Sequence, residues 1–191
     1  MKRTLFFGLT LWISSTMMAV SYSGTLPVLH IQTEDNAAIT SKDDYLNATY
    51  YLDALGLAGY QSLGSASAPL TMEIKGRGNY TWKDFNKKPY RLKLTDKQPL
   101  LGLTKSKHFA LLAHADDAQN KKGFMRNQVG FELSRMIGME WTPATAPVEV
   151  VLNGDYIGLY FLTETIRVDK DRVNIVEQED EETDPAKITG G

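Results

Sequence analysis

The sequence has no cysteine among its 191 residues. That excludes disulfides, thiolate metal sites, a cysteine nucleophile and a lipid-modified cysteine at the start of a mature chain. Histidine is scarce: His30, His108 and His114 share no metal-ligand spacing and no carboxylate neighbours in register, so they read as surface or packing residues. The acidic residues lack the Asp-x-Asp-x-Asp-Gly pattern of a calcium loop. No internal repeat is visible. No apolar run reaches the roughly 20 residues that a membrane-spanning helix needs. An exported chain of this kind rests on its hydrophobic core alone.

The longest apolar run stands at the beginning. Lys2 and Arg3 precede a mostly apolar stretch to Val20, followed by small residues suited to cleavage after Ser21 or Ser23. Residues 1–23 therefore read as a secretory signal peptide, which predicts a secreted or cell-surface protein with no transmembrane segment after cleavage. Residues 24–191 are then one domain or part of one. Without Lys2 and Arg3 the chain keeps 19 basic against 23 acidic residues, and their distribution is uneven. Thirteen Lys or Arg but only four acids lie between Lys75 and Arg126, whereas residues 177–184 hold six acids and no base. The acidic stretch, about 177–185, reads as a solvated loop. The basic half reads either as a charged surface or as a site for an anionic partner.

Period-two alternation predicts strands over 70–75 and 89–94, bracketing a long hairpin, loose alternation predicts another over 45–52, and apolar runs predict further strands over 26–32 and 108–113. Met125, Val129, Leu133, Met136 and Ile137 recur at three and four, the stripe of an amphipathic helix over 124–138 stopped by Gly138. Strands over 148–152 and 156–162 are joined by Asn-Gly-Asp, a strong hairpin signal. Strands, one principal helix, then strands predict an α+β fold with a mainly antiparallel sheet.

The hairpin stretch "IKGRGNYTWKDFNKKPYRLKL" carries seven Lys or Arg. Gly76 and Gly78 flank Arg77, an arrangement that suits either a structural turn or a loop whose backbone N–H groups approach an anion, with Arg77 gripping it bidentately. Lys105 and Lys107 share one face just before a buried strand. Arg126 sits in the first helical turn, where a cation opposes the helix dipole by roughly 0.3–1 kcal/mol unless a bound anion or a local pair with Asp116 or Asp117 compensates it. Glu164 ends an apolar strand, either paired with a buried cation such as Lys107 or Arg126 or exposed at the strand's edge.

In order, "IKGRGNYTW", "KKPYRLKL", "LLGLTKSKHFALLA", "FMRNQVGFELSRMIGMEWTP", "VLNGDYIGLYFLTETI" and "DRVNI" resemble the CotH kinase family of spore-coat protein kinases. The resemblance covers most of residues 70–175. It implies an atypical protein-kinase fold that uses ATP and Mg2+ to phosphorylate Ser or Thr of secreted or surface proteins. It also implies ATP-site roles for Gly76, Arg77 and Gly78 in a phosphate-covering loop, for Lys107 or Lys105 as the strand lysine, and for Arg126 and Glu164. Lys170 and Arg172 fall in a segment that also approaches the phosphates. The chain ends at "ITGG", where the family continues into a metal-binding helical lobe. The expectation is therefore the N-terminal lobe of such a kinase without its C-terminal lobe, inactive alone. The alternative is a non-enzymatic surface or adhesion module that binds an anionic partner through the basic hairpin. No nucleic-acid motif accompanies the charge.

Overall fold

The computed structural model describes residues 22–113, 123, 125–176 and 184–185. The N-terminal apolar run, His114, Asp116, Asp117 and most of the acidic stretch lie outside them. Seven strands follow in chain order: β1 Val28–Thr33, β2 Leu46–Asp53, β3 Leu70–Gly76, β4 Tyr90–Gln98, β5 Ser106–Leu112, β6 Thr145–Leu152 and β7 Asp155–Glu164. A five-residue helix, α1 (Tyr80–Asp84), interrupts the β3–β4 connection, and α2 (Arg126–Met136) joins β5 to β6. The β6–β7 turn has Asn153 and Gly154 at φ 53° and 86°. Two successive residues of positive φ match the right-handed strand twist, which is why Asn-Gly occupies them.

The strands run β1-β2-β3-β4-β5-β7-β6 around a closed barrel. Neighbours pair antiparallel except β1 and β6, which close the ring in parallel with Leu29 opposite Val150 and Ile31 opposite Leu152. One residue in two points inward. Leu29, Ile31, Tyr50, Leu52, Ile74, Leu92, Phe109, Leu111, Val148, Val150, Tyr160 and Leu162 pack together and exclude water from the interior. At this strand number side chains fill the lumen, so it is a core and not a channel.

This architecture corrects the expected fold. The chain is not an α+β assembly resembling the N-terminal lobe of a kinase with an open sheet; it is a closed seven-stranded barrel. An α+β fold needs a helix layer that buries its apolar stripe on the sheet. Here α2 buries no residue, and Met125, Val129, Leu133, Met136 and Ile137 are all exposed. Closure by β1 and β6 is what replaces the open edges. Alternation along a strand reports which face a residue occupies but not which strand lies beside it, so pairing across some 120 residues of chain left no local signal.

If β1 is integral to the core, shortening its buried Leu29, only 1% exposed, weakens the whole barrel. Leu29→Ala is expected to cost about 2–5 kcal/mol. In urea titration this lowers the midpoint at an unchanged slope; a loss below about 1 kcal/mol would show β1 to be peripheral.

Candidate functional site

The glycines of the hairpin are explained by packing. A Cβ on Gly76 would lie 2.5 Å from the Trp82 ring, so only glycine lets the indole cover this strand end. Gly78 has φ 86°, and a Cβ there would meet the Thr81 hydroxyl at 2.6 Å. The Gly76 N–H donates to the Ser41 carbonyl at 2.9 Å and the Arg77 N–H to the Pro89 carbonyl at 3.1 Å. Those two backbone donors are satisfied within the chain, so they form no anion-binding nest.

Most lysines of the hairpin are engaged as well. Lys87 donates to the Leu159 carbonyl at 2.6 Å with its ammonium over Tyr160, and Lys88 donates to the Trp82 carbonyl at 2.6 Å. Lys75 donates to the Asp43 carbonyl at 3.0 Å above Tyr45, and Lys93 pairs with Glu73 at 2.6 Å. The two arginines differ. Among the described residues neither guanidinium, of Arg77 or of Arg91, has a hydrogen bond or a carboxylate partner.

Arg77 and Arg91 share a cavity of about 230 Å3 on the outer wall of the barrel, with Ala110, Phe131, Glu164 and Thr165. Strand register builds it: Lys75 lies opposite Arg91, Arg91 opposite Ala110, and Ala110 opposite Thr163, a row of side chains on the face turned from the core. Burial lowers the Arg77 pKa from its ordinary value, and the neighbouring Arg91 charge lowers it further. Two like charges, one of them half-buried and neither in an ion pair among the described residues, favour an anion, with Glu164 as the carboxylate bordering the same cavity.

Glu164 borders the same cavity but is turned to structural work. It is buried, and its oxygens accept the N–H groups of Thr104 at 2.9 Å and Ala144 at 3.1 Å. Those bonds pin the segments entering β5 and β6 to the end of β7. The cation that its charge favours is Arg172, also buried. Arg172 donates to the Thr165 carbonyl (2.6 Å), the Thr165 hydroxyl (2.8 Å) and the His108 carbonyl (3.1 Å). It braces the cavity wall and does not point into the cavity.

The structure thus brings Arg77 and Glu164 together, with Gly76 and Gly78 shaping the strand end beside them. Lys105 and Lys107 are exposed at the start of β5, Arg126 is exposed at the start of α2, and none of the three lines the cavity. Arg91 was missed as a candidate, although alternation in "YRLKL" places it opposite in face to Leu92 and Leu94. His108 was passed over too. Its pKa is lowered to about 4, first by burial and then by Arg167, Arg91, Lys93 and Arg172. Among the described residues no group of three His, Asp or Glu is placed to hold a metal ion.

The family model described as CotH kinase protein matches residues 74–187. The match takes in the hairpin from Ile74, β4, β5, α2 and the β6–β7 pair. No curated protein matches the chain.

Two outcomes test this account. Glu164→Ala strands two half-buried N–H groups and is expected to cost up to about 1–3 kcal/mol per group left unpaired, read from the urea midpoint. His108 stays neutral when folded, so between its ordinary 6.5 and about 4 the unfolded state binds more protons. Its contribution is complete above that window and is lost as pH falls through it. Melting temperature should decline over this range in the wild type, and His108→Gln should flatten that decline.

Proposed function

Because the chain belongs to the CotH kinase protein family, we propose that its cavity at Arg77 and Arg91 binds the phosphates of ATP, and that it serves ATP-dependent phosphorylation of Ser or Thr in secreted or surface proteins. The observation that carries this reading is the arginine pair, two cations converging on one cavity with neither in an ion pair among the described residues, while the carboxylate that borders it, Glu164, is taken up by two backbone N–H groups. Phosphoryl transfer is mostly positioning and charge neutralisation, and such a pair supplies both for phosphate oxygens.

The cavity's size refines the proposal. At about 230 Å3 it is smaller than the roughly 300–1,000 Å3 of ordinary ligand pockets, so it suits phosphate groups and not a whole nucleotide. Lys105, Lys107 and Arg126 enter this reading as exposed cations outside the cavity, within the matched region. For Mg2+ the described residues do not fit: they offer no cluster of ligands, and both Glu164 oxygens already accept backbone N–H groups. No metal is assigned to them and no step is derived through one. Export by residues 1–23 belongs to the same proposal.

The alternative, a non-enzymatic surface module gripping an anionic partner with the basic hairpin, draws less support. Lys75, Lys87, Lys88 and Lys93 are held by the chain's own carbonyls, a carboxylate and aromatic rings.

ATP is expected to raise the melting temperature of the purified chain. Arg77→Met or Arg91→Met should weaken ATP at least tenfold, since a charge-assisted bond contributes about 1.5–3 kcal/mol. Lys83→Ala should leave affinity unchanged. Absence of any ATP-dependent shift, with and without Mg2+, would sink the reading.

A further inference from the structure

We propose that the outer face of β1 and β2 carries a second binding site, for a neutral glycan, at the cavity formed by His30, Gln32, Thr49 and Tyr51. This proposal is independent of the ATP reading. The cavity has about 400 Å3, within the range of ligand pockets. It adjoins another of about 600 Å3, and the two share Gln32 and Thr49. The trough so formed crosses from β1 to β4, ending at Thr71 and Thr95.

Its chemistry differs from that of the arginine cavity. One end is aromatic: His30 and Tyr51 are directly opposed across β1 and β2, and their rings stack at 4.2 Å within 7° of parallel. Tyr22 meets the His30 ring edge-on and approaches Tyr156 in the same way. The stacked pair is thereby held in one orientation before any ligand arrives, and both of its rings line the cavity. Such a wall offers apolar faces and edges to the C–H side of a sugar ring at little ordering cost.

Hydrogen-bonding groups stand beside that wall. Among the described residues the His30 imidazole, the Thr49 hydroxyl and the Tyr51 hydroxyl make no hydrogen bond within the chain. Burial lowers the His30 pKa and raises that of Tyr51, so both are neutral at physiological pH and each offers a donor and an acceptor. A vicinal diol needs that mixture.

Charge selects against the other candidates. No Lys or Arg lines either cavity, and the only ionisable acids are Glu34 and Glu73 in the adjoining one. Phosphates, nucleic acids and acidic polysaccharides would meet the Glu34 carboxylate and no lining cation, since Lys93, which pairs with Glu73, lies outside the lining of both cavities. A neutral, hydroxyl-rich ligand meets no such penalty. The residues concerned, apart from Thr95, Val151 and Gly154, precede residue 74 and so lie outside the region matched by the family model.

The test uses the full chain against soluble cellohexaose, maltohexaose and chitohexaose by calorimetry and saturation-transfer NMR, and against an array of immobilised neutral glycans. At least one is expected to bind at millimolar concentration or below. Tyr51→Ala should weaken it about tenfold, the loss of one aromatic contact of roughly 1.5 kcal/mol. Thr49→Val, a milder change that retains the fold if Tyr51→Ala does not, should weaken it several-fold, and Arg77→Met should have no effect. Failure of every neutral glycan to bind would overturn the proposal. So would binding that ignores both Tyr51 and Thr49, or a site that instead takes an acidic polysaccharide or RNA.

Discussion

Four parallel residue pairs, from Val28 with Glu149 to Ile31 with Leu152, turn what would be an open sheet into a barrel. The closure fixes more than topology. Once the ring is shut, every strand residue is committed either to a dry interior or to the outer wall, and a one-residue slip would exchange the two sets. Charged and catalytically useful side chains can then occupy only the outer wall or the rims. Arg77 and Arg91 are brought together because β3 and β4 are neighbours in that wall, and Ala110 and Thr163 continue the row across β5 and β7.

The rim near the arginine cavity is held by charged side chains as well as by apolar packing. Glu164 accepts from two backbone N–H groups belonging to different segments, and Arg172 donates to the carbonyls of Thr165 and His108. Both side chains are buried. Such groups are strongly destabilising to break singly, because the survivor is left without a partner. That makes them effective at holding loops where a barrel has no further ladder bonds to offer. Glu164 and Arg172 therefore owe their place near the cavity to scaffolding, while the donors of Arg77 and Arg91 are unused among the described residues.

Several elements were legible in the sequence for physical reasons. Alternation located the arms of the hairpin, and Asn153-Gly154 announced the β6–β7 turn, because each depends on residues close along the chain. Barrel closure was not legible, since the pairing of β1 with β6 depends on residues far apart. The apolar stripe of α2 was read correctly as helical, yet the same stripe misled the fold class: periodicity says that a face is apolar, not that anything covers it. Among site residues, Arg77 stood out by its flanking glycines, but those glycines answer to Trp82 and Thr81. Arg91 drew no notice because a cation alternating with Leu looks like any solvated strand residue.

The wall of the barrel divides electrostatically, and the division follows from which strands carry which partners. Over β3, β4, β5 and β7 the basic residues outnumber their counter-charges: Glu73 takes Lys93, while Arg77, Arg91 and Arg167 act together with Arg172 on His108 or on one another. Over β1 and β2 the residues lining the two adjoining cavities include acids and neutral donors but no cation. A single ligand class cannot be served well by both regions, because an anion favoured at the first would be repelled at the second. Both regions share β3, whose Glu73 faces the β1–β2 side through one cavity and neutralises Lys93 on the basic side. That carboxylate marks the boundary between the basic side and the aromatic face.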